Sequence, residues 1–233
     1  TLANGNLQLT GPVGDALRAS TLGVTSGKWY TEITVASALS SSASMGVAIY
    51  NQAALPTVNG TASRGYYYNG QKYSNGTLAN YGNSFTNGDV IGVAVDLDNG
   101  KVWFSKNGTW QASGDPAAGT NAAYTDLGTT STWFVTVQTG GATGGATCHA
   151  NFGQRAFAYT APSGFKALCT QNLPTPTIGA TSTTQANDYF NPVLYTGTGS
   201  SLSITGVGFQ PDFTWIKGRS GATDHGLYDA VRG

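Results

Sequence analysis

Short runs of alternating apolar and polar residues, punctuated by Asn-Gly pairs, fill most of the chain up to residue 168. Period-2 runs describe strands with one buried face, and no segment keeps an apolar stripe at helical spacing. The clearest run comes at 90–97, where Ile91, Val93, Val95 and Leu97 alternate with Val90, Gly92, Ala94 and Asp96. Asn99-Gly100 follows. This pair favours a two-residue type I′ hairpin because both residues tolerate positive φ. The turn predicts a register: Asp98 opposite Lys101, Leu97 opposite Val102, Asp96 opposite Trp103 and Val95 opposite Phe104. One face then carries Val95, Leu97, Val102 and Phe104, and the other starts with an Asp98–Lys101 charge pair. Asn107-Gly108 turns the chain again and pairs Ser105 with Trp110, so three antiparallel strands are expected.

The flanking sequence supplies more strands. Leu7–Leu9 and Ala16–Thr21 bracket Gly11-Pro12. Lys28–Ala36 places Trp29, Thr31, Ile33 and Val35 on one face and Tyr30, Glu32 and Thr34 on the other. Met45–Tyr50 lies between a polar loop at 37–44 and a longer loop at 51–62. Residues 64–73 form a further strand region, with turns at Asn69-Gly70 and Asn75-Gly76, and 80–85 lead into the hairpin. Residues 111–128 are irregular and too long for a plain connector in a compact domain. Thr132–Gln138 alternates Trp133, Val135 and Val137 with Phe134 and Thr136. A glycine-rich loop at 140–145 and strands at Thr147–Phe152 and Phe165–Leu168 complete the set. The expected fold class is all-β, an antiparallel sandwich.

Several of these pieces carry a family resemblance. Residues 88–108, GDVIGVAVDLDNGKVWFSKNG, resemble the central hairpin of the SPRY domain, a concanavalin-like β-sandwich interaction module. Ser26–Glu32 is similar to the family's "GKWYWE"-type strand, and Met45–Ala48 to its following "GV" strand. The stretch from Gly65-Tyr66 to Asn75-Gly76 resembles its "GY…Y.NG" segment, and Asn151-Phe152-Gly153 its closing "NFG". The five pieces stand in the family's order over residues 20–170. The resemblance implies that flanking strands pack over the sandwich and that loops at one end form the ligand surface. Carried over by position, the candidate binding residues are Arg64, Tyr67, Trp110, Tyr124 and the 140–145 loop.

A boundary is expected near 172–179, where NLPTPTIG combines two prolines with small residues. The resulting division is a SPRY-like sandwich at 1–173, a linker at 174–188 and a β-rich unit at 189–233. In the last unit Val193–Tyr195, Leu202–Ile204 and Phe213–Lys217 read as strands. Residues 206–233 resemble a "GFQPD.VWIK.RS…H.L.D.VRG" signature found after SPRY-like domains in bacteriophage structural proteins. That module normally runs on past the signature, so this unit is expected to be incomplete. The chain starts at Thr1, which points to processing or to a piece of a longer polypeptide.

Composition narrows the function classes. Only 9% of the 233 residues are charged, with 11 basic against 11 acidic. No long-range field steers this chain to nucleic acid or to an anionic membrane. No apolar run reaches the length of a membrane span. Cys148 and Cys169 are the two cysteines. They either form a disulfide or act as small apolar groups, with Cys148 in phase with Ala150 and Phe152 and so pointing inward.

Raw material for catalysis is sparse. Glu32 is the sole glutamate, mid-strand where the SPRY resemblance implies a structural acid. Glycoside hydrolysis needs two facing carboxylates; Asp96 and Asp98 instead read as a turn cap and a partner for Lys101. With Asn99 they fall short of a calcium ligand set. His149 and His225 stand far apart with no spaced Cys or carboxylate, so no metal site and no cofactor are expected. Binding is better served. The predicted register puts Trp103 and Trp110 on the face away from Val102 and Phe104. They are either covered by a neighbouring sheet or the N-terminal segment, or form a flat aromatic platform. Alternation through Tyr66-Tyr67-Tyr68 likewise sends at least one ring outward beside Arg64.

The reading that follows is a non-enzymatic bacteriophage virion surface protein: a tail fibre, spike or capsid decoration. Its expected partners are other virion proteins and a host-surface glycan or protein, with the chain as a homo-oligomer, a trimer. The competing readings are an ancillary carbohydrate-binding module of a secreted glycan-degrading enzyme and an intracellular SPRY adaptor.

Overall fold

The structure is a computed structural model that describes residues 2–11, 16–37, 43–51, 62–141, 146–173 and 185–232. The chain divides into two compact units, Thr1–Leu173 and Pro174–Gly233. Among the described residues sixteen strands and three short 3₁₀ turns make up the regular structure, and there is no α-helix. They are β1 (Leu2–Ala3), β2 (Gln8–Thr10), β3 (Ala16–Val24), β4 (Lys28–Ser37), β5 (Ala43–Asn51), β6 (Ser63–Tyr67), β7 (Gln71–Ser74) and β8 (Thr77–Asn80). Next come β9 (Val90–Asp96), β10 (Lys101–Lys106), β11 (Thr109–Trp110), β12 (Trp133–Gly141), β13 (Thr147–Asn151) and β14 (Lys166–Ala167). The second unit holds β15 (Phe213–Lys217) and β16 (His225–Asp229).

The first unit is the expected antiparallel sandwich. One sheet runs β1-β2-β13-β4-β9-β10-β11, and β14 adds to β4 in parallel. The other runs β3-β12-β5-β6-β7-β8. Alternation accounts for the core between them. Trp29, Ile33 and Val35 of β4, Val93 and Val95 of β9, and Val102 and Phe104 of β10 meet Val47 and Ile49 of β5, Tyr66 of β6 and Val135 of β12. Cys148 faces this core, and both thiols are free, which decides against the disulfide.

The opposite face of the larger sheet is also covered. Tyr30, Ala94 and Trp103 form a second cluster there with Phe165. Trp103 has no exposed surface, and its Nε1 donates to Thr120 O at 2.7 Å. Its cover is neither a neighbouring sheet nor the N-terminal segment. Residues 157–165 bring Phe157, Ala161 and Phe165 across it, with the Phe165 ring edge-on to Trp103 at 6.2 Å.

The central hairpin departs from the predicted register. Lys101 pairs with Asp96, Val102 with Val95, Trp103 with Ala94 and Phe104 with Val93. The turn is therefore the four-residue loop 97–100, in which Gly100 has φ 63° and Asn99 does not share the positive φ. Neighbouring chain holds the longer loop open. Leu97 N donates to Gly27 O at 3.0 Å, and Asp98 accepts from Gly27 N at 2.8 Å. A Cβ on Gly100 would lie 2.6 Å from Leu127 O. The shift is two residues, an even number, so each side chain keeps its expected face. The Asp98–Lys101 pair is lost: Lys101 Nζ donates to Gly119 O at 2.8 Å, and Lys28 meets Asp96 at 3.2 Å. The next turn forms as read. Asn107 (φ 49°) and Gly108 (φ 78°) close a two-residue loop, and Ser105 faces Trp110.

Of the glycine-rich loop, Gly140 and Gly141 extend β12, and 142–145 lie outside the described residues. So do 38–42, 52–61 and the linker residues 174–184. In the second unit β15 and β16 form a two-stranded sheet in which Trp215 faces Leu227 and Lys217 faces His225. Val193–Tyr195 and Leu202–Ile204 are irregular instead of strands. Their side chains lie largely in solvent, so no partner holds them extended.

Candidate binding surface

Arg64 stands on β6 in phase with buried Tyr66. Its guanidinium grips Asp126 in a bidentate pair, Nε to Oδ1 at 2.9 Å and Nη2 to Oδ2 at 2.7 Å. Nη1 donates to Ser63 O at 2.9 Å. The Arg64 side chain is 12% exposed, whereas Asp126 is 61% exposed, so the carboxylate is what solvent meets. The guanidinium hydrogen bonds hold the Asp126 carboxyl below its ordinary pKa. Behind the pair lies Tyr124, whose ring centroid is 5.9 Å from the Arg64 guanidinium and whose hydroxyl donates to Gly65 O at 2.9 Å. Burial pushes this phenol above its usual range, so it stays protonated. Lys72 approaches the same ring at 5.1 Å and donates to Ala123 O at 2.8 Å.

The irregular segment 111–128 is thus a fixed wall. Backbone bonds tie Ala123 N to Val102 O at 2.8 Å and Leu127 N to Gly100 O at 3.1 Å. The outcome is a rigid patch bearing one exposed carboxylate, two clamped cations and an aromatic ring. Such a patch suits recognition of polar and charged groups. Bidentate Arg pairs add geometric definition, and fixed side chains lose little entropy on binding.

The other two candidates lie elsewhere. Tyr67 points to the outer face of the smaller sheet, where its hydroxyl donates to Gln138 Oε1 and its ring meets Tyr73 edge-on at 5.5 Å. Trp110 is half-buried on the outer face of the larger sheet, edge-on to Tyr30 at 6.3 Å. The sequence-based set therefore falls on three separate surfaces, with Arg64 and Tyr124 together. Lys72 and Asp126 were missed. Asp126 sits in an aperiodic stretch with no local signal, and Lys72 is one polar residue among many in a short strand.

Glu32 has a structural role in this arrangement. Its carboxylate accepts from Ala158 N at 2.8 Å, Tyr159 N at 2.9 Å and the Tyr30 hydroxyl at 3.0 Å. Burial, reinforced by the Glu32 charge, raises the Tyr30 phenol, which remains a donor. Asp96 is likewise engaged: burial acts to raise its pKa, but bonds from Asn99 and Lys28 outweigh this and lower it. Among the described residues no group of three or more His, Cys, Asp and Glu gathers as a metal would require.

Comparison with known proteins adds to this geometry. Residues 28–155, more than half of the chain, match the model of the SPRY domain. The chain belongs to the SPRY domain family. Its structure is similar to the crystal structure of the SPRY domain of human HERC1, with a TM-score of 0.55 at 20% identity. That match covers 67% of this chain and 94% of the other. At this identity the likeness concerns the fold alone. Residues 185–233 match a second family, a domain of unknown function (DUF7483). No curated protein matches the chain. SPRY domains are generally non-catalytic interaction modules.

Proposed function

We propose that this chain is a non-catalytic binding protein on the surface of a bacteriophage particle, a tail fibre, spike or capsid decoration. It contacts a host-surface glycan or protein, or a neighbouring virion protein, through the patch around Arg64, Tyr124 and Asp126. The observation that carries the binding role is the clamped Arg64–Asp126 pair with its carboxylate turned to solvent. The particle assignment is supported by the resemblance of residues 206–233 to the signature that follows SPRY-like domains in phage structural proteins. A flat Trp103–Trp110 platform for a sugar ring or a partner chain does not form, because Trp103 is covered.

Two outcomes test this. Purified phage particles encoding the chain should contain it, and antibody to residues 1–173 should slow adsorption to the host. Asp126→Asn, which removes the charge but keeps an acceptor oxygen for the mostly buried Arg64 guanidinium, should slow adsorption about tenfold or more while the protein stays folded, as thermal unfolding will report. A chain absent from the particle, or adsorption indifferent to both reagents, rejects the proposal.

Assembly is a second expectation. Phe213, Trp215, Leu227 and Tyr228 of the β15–β16 sheet are exposed, and both outer strand edges lack a partner among the described residues. Open edges and apolar faces of this kind favour association. The full chain should scatter light as an oligomer, a trimer by our reading, and the 1–173 truncation as a monomer. A monodisperse monomer for both rejects it.

A further inference from the structure

At one margin of the sandwich the two sheets are not filled. A cleft of about 430 Å³ opens there between β2, β13 and β4 on one side and β3 and β12 on the other. Protein interiors leave few voids larger than a water molecule, and this volume falls within the roughly 300–1,000 Å³ of small-molecule sites. Two sequence features produce it. Side chains at this end are small, with Ala19, Cys148 and Ala150 lining the walls. The other end is filled by Tyr66, Phe85 and Phe104. In addition, β3 bulges: Ala19 pairs with Thr136 and Gly23 with Phe134, leaving Ser20–Leu22 opposite Val135 alone. Ser20 Oγ holds the bulge by donating to Leu22 O at 2.8 Å.

The chemistry of the cleft is asymmetric. Its walls are Leu9, Ile33, Val135, Val137 and Leu168, with the Cys148 thiol, which burial pushes up to about 12. Polar residues stand at its margin, and Gln154 spends its amide on Phe152 N and Ala150 O. One charged residue lines the cleft, Arg18. Arg18 is exposed, donates to its neighbour Leu17 O at 2.8 Å, and forms no ion pair among the described residues. An apolar cavity of this size binds apolar matter in preference to water, and a free guanidinium at its margin selects a carboxylate.

We propose that the cleft binds a medium-length, straight-chain aliphatic carboxylate, with the chain between the sheets and the carboxylate on Arg18. The site is separate from the Arg64–Asp126 patch in composition, sharing no residue with it.

The test is calorimetric titration of the full chain with hexanoate, octanoate and decanoate, each below its micelle concentration. Saturable binding should tighten about fourfold per added methylene. Arg18→Glu, at an exposed position, should weaken decanoate about tenfold or more and leave decanol unchanged. Ala150→Phe, which fills the cleft, should abolish binding of both. If that variant fails to fold, the Arg18→Glu comparison stands alone. Bound decanoate should also slow alkylation of Cys169, which lines the same cleft. No saturable binding, affinity independent of chain length, or equal losses for decanoate and decanol in Arg18→Glu would overturn the proposal.

Discussion

Replacing Glu32 with alanine should destabilise the sandwich by about 3 kcal/mol or more. Three donors converge on this carboxylate, which is 2% exposed: Ala158 N, Tyr159 N and the Tyr30 hydroxyl. Alanine leaves all three without an acceptor: the Tyr30 hydroxyl is buried and the two amides are part-buried, and an orphaned buried donor costs about 1–3 kcal/mol. The effect should spread beyond the site. Residues 157–165 lose their anchor and loosen over Trp103, so tryptophan fluorescence should shift to the red before global unfolding. Glu32→Gln, which keeps the volume and one acceptor oxygen, should cost less. Denaturant unfolding of the isolated 1–173 unit measures both. A loss under about 1 kcal/mol would mean that packing alone holds this segment and that the carboxylate is incidental.

Phe104→Ala should cost about 3–5 kcal/mol, the usual range for a buried ring cut back to a methyl. Phe104 is wholly buried in the main core, with its ring 5.8 Å from Tyr66 and 6.3 Å from Tyr81. These rings come from the opposing sheet and from the loop leading out of it, so the cavity would lie at the junction of the layers, where relaxation is hardest. The same denaturation experiment decides it. A change within about 1 kcal/mol would place the wrong face of β10 inside.

That face was legible because alternation depends on parity and not on register. The predicted Asn99-Gly100 hairpin was two residues too tight, yet Val102 and Phe104 point inward all the same. What pattern could not supply was the tertiary competition for the turn. Asp96 takes Asn99 N at 3.1 Å and its side-chain amide at 2.8 Å, while Gly27 takes the residues before it. At Asn75-Gly76 and Asn107-Gly108 the short-range signal prevailed; at the latter the tertiary bonds, Val90 N to Asn107 Oδ1 at 2.8 Å and Asn107 Nδ2 to Asp89 at 2.6 Å, hold the two-residue loop in place. The cover over Trp103 was invisible for a related reason. Residues 153–165 are irregular and include Pro162, so nothing in their spacing marks Phe157 and Phe165 as core. The binding patch was half legible. Arg64 and Tyr124 carried family position, but Asp126 reaches Arg64 from a distant, aperiodic stretch.

The pairing of β4 constrains how the chain can fold as it is made. β9 lies on one side of β4, and both β13 and the parallel strand β14 lie on the other. β5 to β8 and β9 to β11 can assemble from nearby sequence, and β4 can pair with β9 once residue 96 is made, but β14 cannot join Trp29 and Tyr30 until residue 167 has left the ribosome. The smaller sheet waits as well, because β3 and β5 flank β12. Until then the nascent chain holds an apolar sheet with its last partners still unsynthesised. Closing such long loops late puts folding at the slow end for domains of this kind, about milliseconds to seconds. A chain with 9% charged residues has little repulsion to keep neighbours apart meanwhile, so its vulnerable moment is during synthesis, before the sandwich shuts.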